Sequence, residues 1–284
     1  MTALGVLATG GPCLVQDAGR PGLTTIGVGR SGAADRSSYD LANRLVGNVP
    51  GAATLEVTLG GLEVEARDGT VWVAVTGAPV PVTRAGRDEP TGAILALRPG
   101  ERLRLGVPAS GLRSYVAVRG GLGVPPVLGS CSRDTLAGLG PAPLAAGDVV
   151  PVGDRVGDEM RVDAVPAQEY GDSPVLRLVR GPRDDWVRDA GALTARRWTV
   201  APDSDRVGIR LAGARLDLCD PSRQLPSEGA LRGAIQVPPT GEPVVLGPDH
   251  PVTGGYPVVA VVVDHDTDRL AQLRPGDTVG FAWA

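Results

Sequence analysis

Two short segments near the amino end of the chain carry the residue types of a small-molecule site. Gln16, Asp17 and Arg20 place an amide, a carboxylate and a guanidinium around a glycine, and Ser31 and Asp35 add a hydroxyl and an acid. A guanidinium holds a carboxylate or phosphate by two parallel hydrogen bonds, and carboxylate or amide oxygens accept hydrogen bonds from amide N–H groups. The segments therefore suit an anionic or amide ligand. The alternative is that Asp35 is only a helix cap and that Asp17 and Arg20 form only a turn ion pair.

A glycine-rich loop late in the chain offers a second group of polar residues. Two adjacent glycines, Gly254 and Gly255, precede an aromatic residue and an apolar run, and glycine lets the backbone approach a ligand closely. Asp249, Thr253 and Tyr256 would supply the polar groups of such a site. The alternative is a β-turn whose tyrosine is simply hydrogen-bonded.

Two motifs in the sequence resemble those of other protein classes, a dinucleotide-binding fingerprint and a nucleophilic pair. In each case the surrounding sequence does not fit that class. Residues 27–32 match G-x-G-x-x-G, but only residues 24–26 are available for the strand that must precede a dinucleotide fingerprint, and the following sequence is β-rich rather than βαβ. His250 with Ser227 or Cys219 would be a nucleophilic pair, but no G-x-S-x-G elbow exists. We therefore expect a glycine-rich loop with another role and no independent nucleophile.

The basic residues of this chain are all arginine. The 28 residues counted as Lys+Arg include no lysine. A P-loop needs a lysine against the phosphates of its nucleotide, a Schiff-base enzyme needs an amine, and a biotin carrier needs a lysine to acylate. The sequence contains none of these three. With only two histidines it also lacks a His₃ zinc site, and we expect no metal.

Charge, cysteine content and hydropathy limit the kinds of partner and the cellular compartment that we expect for this protein. A net charge of −4 argues against nucleic acid. Three widely spaced cysteines favour a reducing cytoplasm over a disulfide framework. The longest apolar run, residues 258–263, is far shorter than the roughly 18 residues of a membrane span, and the first residues lack the basic region of a signal peptide. We expect a cytoplasmic protein that binds neither membrane nor nucleic acid.

Short β-rich runs separated by glycine and proline predict a mainly β fold of barrels or sandwiches. Residues 234–237 and 243–246 read as a hairpin. A helix is predicted over residues 36–46, capped by Asp35 and Gly47, and a second helix over residues 182–190.

The two halves of the chain share a turn sequence, since residues 97–103 resemble residues 273–279. This repeat favours two related β units over one large sheet. Residues 153–173 are polar and lack a period, so they are the best linker candidate. We therefore expect domains at residues 1–165 and 166–284.

Taken in order, the motifs resemble those of a known family. It is the biotin-dependent carboxyltransferase family that includes the C subunit of bacterial 5-oxoprolinase, also called allophanate hydrolase subunit 2, and the KipI antagonist. The resemblance spans nearly the whole chain. The matching positions include residues 16–20, 31–35, 42–48, 55–56, 76–78, 115–121, 129–130, 205–211, 227–229, 233–238 and 253–257.

The resemblance implies two cyclophilin-like β-barrel domains with a few short helices. It also implies a partner, the B subunit of 5-oxoprolinase (KipI-like, allophanate hydrolase subunit 1), in a heterodimer or heterotetramer, with a LamB/YcsF-like third protein in the 5-oxoprolinase version. There ATP is spent to open the 5-oxoproline lactam. In the urea carboxylase version, carboxybiotin on a separate carrier supplies the CO₂. A third possibility is a non-catalytic regulator of the KipI-antagonist type.

The loops and the resemblance together give a working hypothesis for one amide-binding site. Three residues are assigned to catalysis: Asp249, Arg206 and Glu228. The residues assigned to substrate binding are Gln16, Asp17, Arg20, Ser31, Asp35, Gln236, Thr253, Gly254, Gly255 and Tyr256.

Five positions depart from the family pattern. Ala34 stands where methionine is common, and His250 and Pro141 stand where arginine is common. Pro251 and Val252 stand where glutamine and threonine are typical. Loss of an arginine removes a group that would hold an anion. The sequence therefore leaves three candidate substrates open, namely 5-oxoproline, allophanate and urea.

Overall fold

The computed structural model describes residues 1–171 and 173–284. The chain divides into two compact units, each built from three stretches of sequence. The first unit comprises Met1–Arg20, Asp35–Arg133 and Gly138–Tyr170. The second unit comprises Pro21–Ala34, Asp134–Ala137 and Gly171–Ala284. The domain boundary expected between residues 165 and 166 stays a prediction.

The first unit contains two antiparallel sheets and one longer helix. Its strands are β1 (Ala3–Ala8), β2 (Cys13–Gln16), β3 (Thr54–Thr58), β4 (Glu63–Arg67), β5 (Val71–Gly77), β6 (Val82–Arg84), β7 (Arg87–Glu89), β8 (Ile94–Leu97), β9 (Arg102–Leu105), β10 (Arg113–Val118) and β11 (Val149–Pro151). The helix is α1 (Arg36–Leu45). One sheet has the order β11-β1-β4-β9-β6-β7 and the other β2-β3-β10-β5-β8.

One apolar core receives side chains from both sheets of the first unit. In β4 the burial alternates, so that Val64 and Ala66 point into the core while the intervening charged residues face outward. Leu55 and Val116 enter the same core from the other sheet. Such alternation is what an antiparallel sheet with one covered face requires.

The second unit is a closed barrel. Its strands are β12 (Val175–Arg180), β13 (Arg197–Val200), β14 (Gly208–Ala212), β15 (Glu228–Gly229), β16 (Ala234–Gln236), β17 (Val244–Leu246), β18 (Thr253–Gly254), β19 (Val258–Val262) and β20 (Thr278–Trp283). A four-residue helix, α2 (Thr267–Leu270), precedes β20. The barrel order is β12-β19-β16-β17-β14-β13-β20, and a parallel pairing of β12 with β20 closes it. Closure of the barrel removes exposed sheet edges. The prediction of a mainly β fold is confirmed.

The predicted helix and hairpin are both present. Helix α1 begins after Asp35, whose carboxylate accepts a hydrogen bond from the Ser38 N–H at 3.0 Å, and Gly47 follows the helix with φ +66°. Tyr39 and Ala42 lie on its buried face. The hairpin is formed by β16 and β17. Local capping and turn signals were sufficient for both elements.

The helix predicted over residues 182–190 is wrong. Short 3₁₀ turns form instead at Asp184–Trp186 and Ala190–Leu193. The Arg183 N–H bonds to the Val258 carbonyl and the Arg188 N–H to the Asp217 carbonyl, so pairing with distant segments takes up the backbone donors that a helix would have used. Tertiary contacts have overridden the local pattern.

The turn that repeats in the sequence also repeats in structure. In each unit the acid after the glycine, Glu101 or Asp277, accepts a hydrogen bond from the backbone N–H three residues earlier, at 2.9 and 2.8 Å. Gly100 and Gly276 have φ of +81° and +92°. The turns lead into β9 and β20. This equivalence supports two related β units.

Within the described residues, no helix is both long enough and apolar enough to cross a membrane.

Changing Gly100 or Gly276 to alanine is expected to lower the free energy of unfolding by about 1–2 kcal/mol in each case. Both glycines have positive φ, and a Cβ at either would meet no neighbouring atom. The loss of stability would therefore come from backbone strain alone. Gly229→Ala is the control, because its φ is ordinary and its surroundings are open. Chemical denaturation of the three variants measures the difference. Equal stability of all three would contradict the prediction.

Candidate functional site

A buried carboxylate organises the loops of the second unit. Asp249 is only 1% exposed, and Arg206 binds its two oxygens through Nε at 2.8 Å and Nη2 at 3.0 Å. The Ser31 hydroxyl donates to Oδ1 at 2.6 Å. The Thr135 N–H and hydroxyl both donate to Oδ2, at 2.9 and 2.7 Å. Five hydrogen bonds therefore converge on one side chain.

These contacts fix the charge of Asp249. Burial alone would raise the pKa of this carboxyl, but the Arg206 guanidinium and the donors from Ser31 and Thr135 outweigh it and hold the pKa below its usual value. The carboxylate is ionised, and its lone pairs are occupied. The geometry therefore suits a group that positions loops, rather than one that takes a proton from a substrate.

Arginines of the barrel also hold the backbone of the glycine-rich loop. Arg206 Nη2 donates to the Gly32 carbonyl at 2.6 Å. Arg232 donates to the carbonyls of Ala33 and Ala34 at 3.3 and 2.6 Å. Residues Thr24–Ile26, which a dinucleotide fingerprint would need as a strand, form a 3₁₀ turn. The loop is thus held by arginines of the barrel and lacks the strand context of a nucleotide fingerprint.

Four predicted residues meet at a two-stranded ribbon of the second unit. β15 pairs with β18, so that Glu228 lies opposite Gly254, and Thr253 lies opposite the residue after Glu228. A Cβ on Gly254 would lie 2.6 Å from the Gln236 amide nitrogen, so a larger residue here would have to displace the Gln236 side chain. Glu228 forms an ion pair with Arg183. The carboxylate assigned to catalysis is therefore partnered by an arginine that the sequence did not single out.

Tyr256 and Gly255 lie along a cleft of about 380 Å³ in the second unit. The tyrosine is 47% exposed, so its ring and hydroxyl are accessible to a ligand. A volume of this size is typical of small-molecule sites.

In the first unit, Asp17 is the acceptor for a serine-rich turn. The hydroxyls of Ser130 and Ser132 both donate to its Oδ1 at 2.6 Å, and the Cys131 N–H donates to Oδ2 at 2.6 Å. All of these partners are more than 110 residues away in sequence. The structure thus shows the turn at residues 129–132 as the binding partner of Asp17.

Arg20 does not form the turn ion pair with Asp17. Its Nη2 donates to the Ser132 carbonyl, 2.5 Å away, and its Nε to the Val127 carbonyl at 3.4 Å. Gln16 donates from its amide nitrogen to the Arg133 carbonyl at 2.8 Å. Both side chains are fully buried, so they brace this turn from inside the first unit.

Asp35 caps α1 and also belongs to a buried tyrosine network. Its N–H donates to the Tyr115 hydroxyl at 2.7 Å, and that hydroxyl donates to Glu56 at 2.8 Å. Tyr170 donates to the Asp35 carboxylate at 3.0 Å. Burial, followed by the neighbouring charge of Glu56, raises the pKa of Tyr115 well above its usual value. The phenol is therefore a permanent hydrogen-bond donor.

The predicted site residues thus fall into separate groups. Ser31 belongs to the second unit, with Asp249, whereas Gln16, Asp17 and Asp35 belong to the first. His250 hydrogen-bonds through Nδ1 to the Pro251 carbonyl at 2.8 Å, and burial lowers its pKa, so the ring is neutral at pH 7. In the described part of the chain, no group of three or more His, Cys, Asp or Glu residues is placed to hold a metal ion.

The family described as the carboxyltransferase domain, subdomain A and B, matches residues 26–283. The 5-oxoprolinase C subunit of Escherichia coli is 38% identical over 98% of this chain and 90% of that protein. The Haemophilus influenzae protein of the same name is 33% identical over 94% of this chain and 86% of that protein. The urea amidolyase of Saccharomyces cerevisiae is 31% identical over 99% of this chain but 16% of that protein.

Two solved structures have the same fold. The crystal structure of TTHA0988 matches with a TM-score of 0.89 and 36% identity over 99% of this chain. This chain spans about half of that one, 56% of its length. The Kluyveromyces lactis urea carboxylase matches with a TM-score of 0.89 and 29% identity over 98% of this chain and 27% of that chain.

Changing Asp249 to asparagine is expected to lower the free energy of unfolding by about 3–5 kcal/mol at pH 7, because it leaves the Arg206 guanidinium buried without a carboxylate. The matched control is Asp203→Asn, which removes an ion pair with Arg210 whose side chains are 68% and 54% exposed. We expect less than about 1 kcal/mol there. Denaturant titration of both variants provides the comparison, and equal losses would contradict the prediction.

The same pair predicts a pH dependence. Since the folded pKa of Asp249 is depressed, its stabilisation is fully present above the unfolded value of about 3.9 and is lost as the pH falls through the folded pKa. The stability difference between wild type and the Asp249→Asn variant should therefore shrink below about pH 4. A difference that stays constant down to pH 2 would show that Asp249 is not the titrating group.

Proposed function

The chain belongs to the family of carboxyltransferase domains with subdomains A and B, and we propose that it is the C subunit of a 5-oxoprolinase, a complex that spends ATP to open the lactam of 5-oxoproline to glutamate. The observation that carries this proposal is the match to the bacterial 5-oxoprolinase protein along nearly the whole of both chains. The same chain corresponds to a small part of urea amidolyase. The match covers 90% of the bacterial 5-oxoprolinase protein but only 16% of urea amidolyase, and this difference favours the 5-oxoprolinase assignment.

The second unit supplies the substrate side of the proposed site. Thr253 and Tyr256 would contact the amide, and the two glycines between them would let the backbone approach it. Asp249 and Arg206 act as positioning residues, because the pair also binds the Gly32 carbonyl and the N–H and hydroxyl of Thr135. Glu228 and Gln236 support the ribbon that carries Thr253. The assignment of Gln16, Asp17, Arg20, Ser31 and Asp35 to substrate binding is also part of this proposal.

The composition of the chain assigns other parts of the reaction to other proteins of the complex. A phosphate-binding P-loop lysine and a biotinylated lysine are both absent from the sequence. The ATP chemistry would therefore use a site other than a P-loop of this chain. We propose a cytoplasmic heterodimer or heterotetramer with a KipI-like B subunit (allophanate hydrolase subunit 1), joined by a LamB/YcsF-like third protein.

Carboxyl transfer is the second candidate function. It is favoured by the family description and by the likeness to a urea carboxylase structure. In that case carboxybiotin on a separate carrier would release CO₂ beside a urea nitrogen. Both candidate substrates, 5-oxoproline and urea, contain an amide group, so the second unit would bind the substrate in either function.

The proposed function is tested by reconstituting the full chain with its KipI-like and LamB/YcsF-like partners. We expect glutamate and ADP to form in equal amounts from 5-oxoproline and ATP, and we expect omission of this chain to abolish both. Urea and allophanate serve as substrate controls. Consumption of urea that requires a biotin carrier, without any glutamate from 5-oxoproline, would replace the proposal by carboxyl transfer.

A further inference from the structure

The cleft beside Tyr256 contains an arginine that stacks on a tryptophan. Arg223 lies with its guanidinium 4.0 Å from the centre of the Trp186 ring, and Trp186 is 6% exposed, so the ring is a fixed floor for the cation. Many arginines of this chain bind carboxylates, but among the described residues the Arg223 side chain makes no hydrogen bond or ion pair. Its donors therefore remain available to a ligand.

A carboxylate oxygen in the same cleft is also available. Asp220 accepts hydrogen bonds from the Ser222 hydroxyl at 2.6 Å and from the Ser222 N–H at 2.9 Å, both on Oδ1. These bonds, together with the nearby Arg223, lower the pKa of Asp220, so the group is an anion at neutral pH. No side chain of the described residues donates to its Oδ2. The cleft thus offers one cationic donor group and one anionic acceptor.

The rest of the lining is apolar and open. Leu225, Val237 and Pro257 line the cleft together with the ring of Tyr256. Gly255 has an ordinary φ, and a Cβ there would meet only the Leu225 carbonyl at 3.6 Å. Neither backbone conformation nor packing therefore requires glycine at this position. A missing side chain at Gly255 keeps space at the wall of the cleft for a ligand.

We propose that this cleft binds a small cyclic amide that carries a carboxylate next to its N–H group. Arg223 binds the carboxylate, Asp220 Oδ2 accepts the N–H, and the ring packs against Tyr256. A site with this charge arrangement favours the carboxylated lactam over neutral urea, because urea offers the guanidinium no carboxylate. The inference rests on the proposed function, in which 5-oxoproline has these groups, and it assigns residues that the sequence hypothesis did not contain.

The test is calorimetric titration of the reconstituted complex with 5-oxoproline and with 2-pyrrolidinone, the same ring without the carboxylate. Changing Arg223 to glutamine is expected to weaken 5-oxoproline binding at least about tenfold and to leave 2-pyrrolidinone binding unchanged. The matched control is Arg180→Gln, since Arg180 also lies over a tryptophan, 4.9 Å from the ring of Trp283. It should leave both affinities unchanged. Because Arg223 is on the surface, melting temperatures should match the wild type.

Equal 5-oxoproline affinity in wild type and the Arg223→Gln variant would overturn the cleft assignment, as would the absence of 5-oxoproline binding to the wild type. A parallel loss of affinity for both ligands would also overturn it, because it would show a general structural effect. These results are distinct from failure of the proposed function. That failure would appear as absence of glutamate formation by the wild-type complex, whatever the titration gives.

Discussion

The bidentate ion pair between Asp249 and Arg206 is the contact on which the loops of the second unit depend. Arg206 also donates to the Gly32 carbonyl of the glycine-rich loop, and hydrogen bonds from Ser31 and Thr135 to Asp249 complete the pair. Burying two opposite charges is favourable only when their remaining donors and acceptors are satisfied. Here the partners come from stretches of chain more than 100 residues apart. The pair therefore specifies the arrangement of these loops as well as stabilising it.

The elements around this pair were predictable where the signal was local. Helix α1 followed from its two caps, the β16–β17 hairpin from its proline–glycine turn, and the repeated turns from the glycines before Glu101 and Asp277. In each case a few adjacent residues decide the backbone conformation. The helix expected over residues 182–190 failed for the opposite reason, because its donors bond to segments far away in sequence.

The roles of two buried aspartates, Asp17 and Asp249, could not be predicted from their segments, whereas the capping role of Asp35 could. Asp17, Asp35 and Asp249 each sit in a motif that suits substrate binding, yet each is fully engaged by protein donors. Those donors, such as Ser132 and Thr135, come from distant positions, and a single sequence does not reveal long-range pairing. Of the polar and glycine residues along the cleft, Tyr256 and Gly255 were anticipated, whereas Arg223 and Asp220 were not. The protein uses its buried carboxylates mainly to hold loops.

Asp249 holds the segments that surround it, and hydrogen exchange of the Thr135 amide tests this role most directly. That amide donates to the Asp249 carboxylate at 2.9 Å. In the Asp249→Asn variant, under conditions where the barrel remains folded, we expect the Thr135 amide to exchange at least about tenfold faster, while amides of β19 keep their protection. Unchanged exchange at Thr135 would contradict the role assigned to Asp249.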